Sequence, residues 1–238
     1  MNYEIEQLKL SEQIIAVAKK VAVTSGLYIL LTFIILFFVY FIGILFLFDF
    51  PQDISKLENT AFVEEILASK SIELLLLNGI VGIIAHYLLS GVYGMIHQSA
   101  TQPYVGLGTA YQSVFSTSGL KALNVIIAVQ VSTTVLSYFL EQAGFGLVAL
   151  GITVLLQLLT YFSVVAIYVH GLGVGKSISL SIAIINQKPG FLFLFIMITY
   201  FLSLIGILFF GIGIILTLPL NYIVAYCLYQ HISEQLTD

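Results

Sequence analysis

Four histidines, one cysteine and a few carboxamides are the side chains in this sequence best placed to do chemistry. His97, His170 and His231 each fall near one end of an apolar stretch. His86 lies inside one, eleven residues before His97 and nearly in line with it on a helix. Three imidazoles could hold a transition metal. The repeated H-x-x-x-H or H-x-x-H-H spacing of membrane oxygenases does not occur, and an amphipathic ring suits a headgroup region, so neither metal nor cofactor is expected. Glu73 and Glu141 are boundary carboxylates, too isolated to work as an acid/base pair. Cys227 has no second cysteine to pair with and reads as a small core residue. Gly211-Ile-Gly213 lacks the strand–turn–helix context of a dinucleotide fingerprint. No catalytic residue emerges.

A second set is more informative. Asn78, His86, Gln130, Gln157 and Asn221, with Ser132, Thr133 and Thr134 beside Gln130, fall near the middle of apolar stretches. Polar side chains in lipid are costly unless paired. They are therefore expected either to bond between helices, at roughly 0.6 kcal/mol each, or to line one polar cavity for a substrate or lipid headgroup. No Asp, Glu or Lys shares their depth, so ion-coupled pumping has no carrier except His86. Pro219 removes the donor to the Ile215 carbonyl and predicts a helix kink. Freed carbonyls line sites in transporters, and neighbouring helices satisfy them elsewhere.

The elements that must position these residues follow from composition. Of 238 residues, 60% are hydrophobic and 8% charged, and mean hydropathy is +1.08. Soluble domains carry about 25% charge, so a water-exposed globule is excluded. The chain, 1–238, reads as one all-α integral membrane domain. Its apolar runs, each near the ~20 residues that cross a bilayer, place six spans at about 26–48, 72–96, 120–140, 145–168, 191–204 and 208–229. Residues 2–24 precede them as an amphipathic helix with Leu10, Ile14, Val17 and Val21 on one stripe. Such a helix lies in the headgroup plane or packs on its own protein, and the two are compatible. The charged residues running through Lys20, with no cleavage pattern after them, make the first span a retained anchor rather than a signal peptide.

The connections fix the rest. Asp49 to Lys70 is the longest hydrophilic one, with a stop at Pro51 and a short helix expected at 60–68. A polar segment, 97–119, contains a short helix near 110–115. Glu141-Gln-Ala-Gly144 forces spans three and four into an antiparallel hairpin. Gly171-Leu-Gly-Val-Gly175 breaks the chain before 176–187. Ser177 to Ile182 alternates like a strand, but a helix is preferred, because an open strand edge would leave backbone groups unpaired in a membrane. The six spans thus form three antiparallel hairpins, with an amphipathic or Gly/Ser-rich segment before spans one, three and five.

All eight basic residues are lysines. Without arginine or a basic stripe, nucleic acid is not an expected partner. Lys9, Lys19, Lys20, Lys121, Lys176 and Lys188 fall on the side of the termini, against Lys56 and Lys70 on the other. The positive-inside rule therefore puts both termini in the cytoplasm.

The exit of span two, Leu89-Ser-Gly-Val-Tyr-Gly-Met95, leads to Tyr111-Gln-Ser-Val-Phe115. Lys176-Ser-Ile-Ser-Leu-Ser181 precedes span five, and Gly211-Ile-Gly-Ile-Ile-Leu-Thr-Leu-Pro-Leu220 leads to Tyr226. This layout resembles a broad group of uncharacterised bacterial integral membrane proteins, similar to the membrane domain attached to some glycerophosphodiester phosphodiesterases. The resemblance implies a multi-pass protein of the bacterial cytoplasmic (inner) membrane and carries no catalytic residue across. The expected function is a non-enzymatic scaffold or accessory subunit, with membrane lipids and a membrane protein or a second copy as partners. The alternative is a small-molecule or lipid transporter using Asn78, His86, Gln130, Gln157 and Asn221. A histidine-metal membrane enzyme is the third and least favoured reading.

Overall fold

The computed structural model describes residues 2–47, 69–102, 104–205 and 212–235. Nine α-helices and no strand occur among them: α1 (Asn2–Leu47), α2 (Ser71–Ser99), α3 (Leu107–Val114), α4 (Thr117–Gln142), α5 (Gly146–Leu159), α6 (Ser163–His170), α7 (Val174–Gln187), α8 (Pro189–Ile205) and α9 (Ile212–Gln235). Four stretches are long and apolar enough to cross a membrane: Lys9–Leu47, Ser71–Ser99, Thr117–Gln142 and Gly146–His170. A fifth appears if α7 and the first part of α8, bent by 103° at Lys188, count as one broken span. The described helices therefore supply four or five spans rather than six. The expected fifth and sixth spans meet at 206–211, outside the described residues. The expected Pro51 stop and the 60–68 helix also lie outside the described residues.

α1 departs from expectation. Residues 2–24 do not form a separate interfacial helix; one helix of 46 residues runs through them. At 1.5 Å per residue it is roughly 69 Å long, over twice the ~30 Å hydrocarbon core. Its stretch before Gly26 has neither Gly nor Pro, and the polar residues that follow do not break it. Ser25 bonds back to the Val21 carbonyl at 2.6 Å and Thr32 to that of Tyr28 at 2.9 Å, a local compensation that keeps hydroxyls inside helices. The predicted stripe faces protein: Val21 is fully buried, and Leu10, Ile14 and Val17 pack against the core.

Span four is interrupted. α5 ends at Leu159 and α6 begins at Ser163, with Thr160-Tyr161-Phe162 between them. The serine that makes this possible comes from α7. Ser181 accepts from the Phe162 N–H at 3.0 Å and donates to the Leu159 carbonyl at 2.7 Å, and it is fully buried. One hydroxyl thus stands in for the missing helical bond. α6 ends where expected, on Gly171 in the left-handed conformation (φ 64°). α7 is helical as preferred, burying Ser177, Ser181, Ile184 and Ile185.

Packing is uneven along the helices. α1 lies chiefly against α2 and α9, α2 against α3 and α4, α4 against α5 and α6, and α8 against α9. Buried side chains concentrate at one end, which we call the packed end. It holds the middle of α1, the last turns of α2, the first turns of α4, α6, α7 and the last turns of α9. In α2, Ser90 to Ile96 are all buried, whereas the most apolar 18-residue window of that helix has no buried residue. Towards the other, open end, Phe37, Phe41, Leu76, Phe139, Leu150 and Phe201 are all exposed.

Candidate functional site

The five mid-span polar residues are not gathered into one enclosed cavity. Asn78, His86 and Gln157 are exposed. The His86 ring bonds the Gly82 carbonyl of its own helix at 2.8 Å, so its polarity is met locally. Gln130 of α4 is half-buried with its amide against Gly82 of α2, one turn from His86. Asn221 is brought to a different partner: Tyr161, in the interruption of span four, donates its hydroxyl to Asn221 Oδ1 at 2.9 Å. The separation has a physical cause. Gly82 is too small to hold Gln130 at a distance, and the break at 160–162 turns Tyr161 towards α9 instead of continuing the α5 helix.

Pro219 lies inside α9 and is buried. Its ring removes the donor that would reach the Ile215 carbonyl. Gly26 of α1 covers that same carbonyl so closely that any side chain there would overlap it. A glycine Cα–H against the freed oxygen is the weak contact such a site can use. The proline's effect is thus absorbed by helix packing.

The packed end holds the densest polar arrangement. Gln13 of α1 donates to Gln230 Oε1 at 2.9 Å, Gln230 donates to the Tyr226 hydroxyl at 3.1 Å, and that hydroxyl meets His97 Nδ1 at 3.0 Å. This chain of four side chains ties α1, α9 and α2 together. His97 lies within electrostatic reach of His170, whose ring is 5.7 Å from that of Tyr229. A second network joins Ser90, Tyr168 and Ser113: the two hydroxyls of Ser90 and Tyr168 lie 3.1 Å apart, and Tyr168 also donates to the Ser113 carbonyl at 3.4 Å. Tyr28 donates to the Leu88 carbonyl at 2.6 Å, and Tyr87 to that of Val114 at 2.9 Å.

Two lysines close helix ends here. Lys20 donates to the Ser99 carbonyl at 3.3 Å and Lys121 to the Gly171 carbonyl at 2.7 Å. Each puts a cation at a helix C-terminus, the favourable pole for it. Among the described residues, no group of three His, Cys, Asp or Glu stands where it could share a metal ion. Histidines 97 and 170 share the packed end with tyrosines.

Sequence reasoning missed Tyr161, Tyr226, Ser181 and the Gln13–Gln230 pair. The tyrosines were visible as aromatic interruptions of apolar runs, but nothing local says which one meets a carboxamide. Ser181 carries no local signal, because its role exists only where α7 crosses span four.

No protein-family model matches the chain, and neither does any curated protein or solved structure.

Proposed function

We propose that this chain is a non-enzymatic integral membrane scaffold or accessory subunit, holding lipids and a partner membrane protein against its open end. In this reading it is a six-span protein of three antiparallel hairpins in the bacterial inner membrane, with both termini cytoplasmic. The likeness to the membrane-domain group of glycerophosphodiester phosphodiesterases belongs to the same reading. One observation carries it: the most apolar stretch of α2 buries nothing inside the molecule, while its next turns are all buried. A helix buried only over its last turns leaves the rest of its length for lipid or another helix.

Extraction in mild detergent, followed by mass spectrometry of the native particle, tests this. A stoichiometric protein partner or retained phospholipid is expected, and a lipid-free monomer with no partner overturns the reading.

A second reading, movement of a small molecule or lipid through the membrane, is favoured by the half-buried Tyr161–Asn221 pair beside a broken span. Proteoliposome flux abolished by Asn221→Leu would select it over the first.

A further inference from the structure

A cavity of about 180 Å³ opens where α4, the end of α5 and α7 meet. Ala128, Val129 and Ser132 of α4, Leu156 and Thr160 at the end of α5, and Ile178 of α7 line it. Ala128 and Ser132 stand one turn apart on α4, so two small side chains share one wall. Beside them α5 stops at Leu159, where the crossing of α7 holds the chain open through Ser181. Close-packed interiors leave few spaces of this size. Ala128 and Ser132 are exposed and the other four residues half-buried, so the cavity is a groove with its mouth on the outer surface of the bundle.

Its depth and chemistry narrow what fills it. Thr160 lies ten residues before the end of the stretch Gly146–His170, and Val129 twelve residues after the start of Thr117–Gln142. At about 1.5 Å per residue, both place the groove roughly 15–18 Å in from the packed end, near the middle of a ~30 Å hydrocarbon core. The lining carries no charge, and the Thr160 hydroxyl is already spent on the Leu156 carbonyl at 2.8 Å. A buried water needs about two to four polar partners, whereas an aliphatic cavity of about 150 Å³ takes benzene. This groove therefore suits hydrocarbon, with room for a segment of about six carbons. At that depth the hydrocarbon outside its mouth is the far end of the acyl chains.

We propose that this groove holds the methyl-terminal segment of a phospholipid acyl chain from the leaflet at the packed end. The chain is recognised and the headgroup is not. The proposal goes beyond the scaffold reading, which places lipid at the open end, and it stands whether or not a partner protein is found.

The test uses the full chain in nanodiscs containing a trace of phosphatidylcholine with a diazirine near the methyl end of one acyl chain. Photolysis and peptide mapping read where the probe sits. Labelling of the groove residues is expected to exceed that of the exposed Phe37 and Phe41 of α1 by about threefold or more, as a few extra carbon–carbon contacts allow. The same probe with a phosphatidylglycerol headgroup is expected to give the same pattern. Ala128→Phe fills the groove from its wall and Ser132→Leu from its rim. Either is expected to bring groove labelling down to the level of α1 while labelling of α1 stays unchanged. Thermal unfolding and elution profile establish which variants are folded. Even labelling of groove and α1 in the native chain overturns the proposal, as does undiminished groove labelling in either folded variant. A lipid-free monomer in detergent would overturn the scaffold reading alone, because this labelling is read in a bilayer.

Discussion

The two parts of α2 differ in a direction opposite to that of a soluble helix: the more apolar part is the less buried one. From Ser90 to Ile96 every residue is buried, against α3, α4, α6 and α1; from Ser71 to Leu89 none is. In water this would be a puzzle, since apolar surface drives its own burial. In lipid it is expected, because acyl chains solvate Leu and Ile as well as another helix does. Association then depends on close backbone approach and on hydroxyls that reach across. The packed part has both: Gly91 and Gly94 under α3, and Ser90 bonded across to Tyr168 of α6. The open part shows that small residues alone do not suffice. Gly79 has nothing near the place its side chain would occupy.

The same substitution at the two ends gives the largest expected contrast. A methyl at Gly26 would overlap the Ile215 carbonyl, and one at Gly94 would overlap Ser113. The Ile215 oxygen is backbone and cannot rotate away, so α1 and α9 must separate. Gly26→Ala is therefore expected to cost about 3 kcal/mol or more and Gly94→Ala about 1–3 kcal/mol, the range of overpacked cores. Gly79→Ala meets open space and should lie within about 1 kcal/mol of the native protein, on the stabilising side, since Ala is the better helix former. Unfolding in mixed micelles with rising SDS measures all three. Equal losses at Gly79 and Gly26 would erase the distinction between the ends.

What the sequence made legible follows the same division. Features set by local chemistry were readable: the turn at Glu141–Gly144, the break at Gly171, the short helix near residue 110 and the helical state of Ser177–Ile182. Pro219 was readable as a disturbance of α9, but the residue that absorbs it, Gly26, is 193 positions away and signals nothing about its partner. The interruption at Thr160–Phe162 has neither Gly nor Pro and looks like continuous helix. Only the crossing of α7, with Ser181 in register, stabilises the opened turn. The polar set was found by type and depth, but membership of one cavity could not be deduced from depth, because rotation about each helix axis decides it. His86 shows this: a turn away from Gln130, it bonds its own backbone.

Ser181 allows a narrower test of the packed end. Ser181→Ala leaves the Phe162 N–H and the Leu159 carbonyl without a partner in a buried place. An expected cost of about 1–3 kcal/mol follows from the unsatisfied groups. The exposed Ser132 of α4 serves as the comparison, and Ser132→Ala should fall within about 0.5 kcal/mol of native. Hydrogen exchange at Phe162 reports the mechanism directly: exchange should quicken in Ser181→Ala and stay slow in Ser132→Ala. Unchanged protection would mean the break is held by packing alone, and the hydroxyl would lose its assigned part.

The smallest expected effect lies towards the open end, where Ser137 and Thr153 join α4 to α5 through hydroxyls 2.7 Å apart. The geometry is as good as any bond in the packed end, yet its energetic weight should be low. When it breaks, each hydroxyl can turn back to a carbonyl of its own helix, as Thr133 and Thr160 already do at 2.9 and 2.8 Å. The unfolded reference in the membrane keeps those helices, so the net gain is a difference between two satisfied states, averaging about 0.6 kcal/mol for such pairs. A double-mutant cycle of Ser137→Ala and Thr153→Val isolates the pair. A coupling near that value keeps the open end loosely joined. A coupling above about 2 kcal/mol, beyond the largest measured for membrane pairs of this kind, would mean that the hairpin is cemented at both ends and that exposure alone is a poor guide to where this molecule is strong.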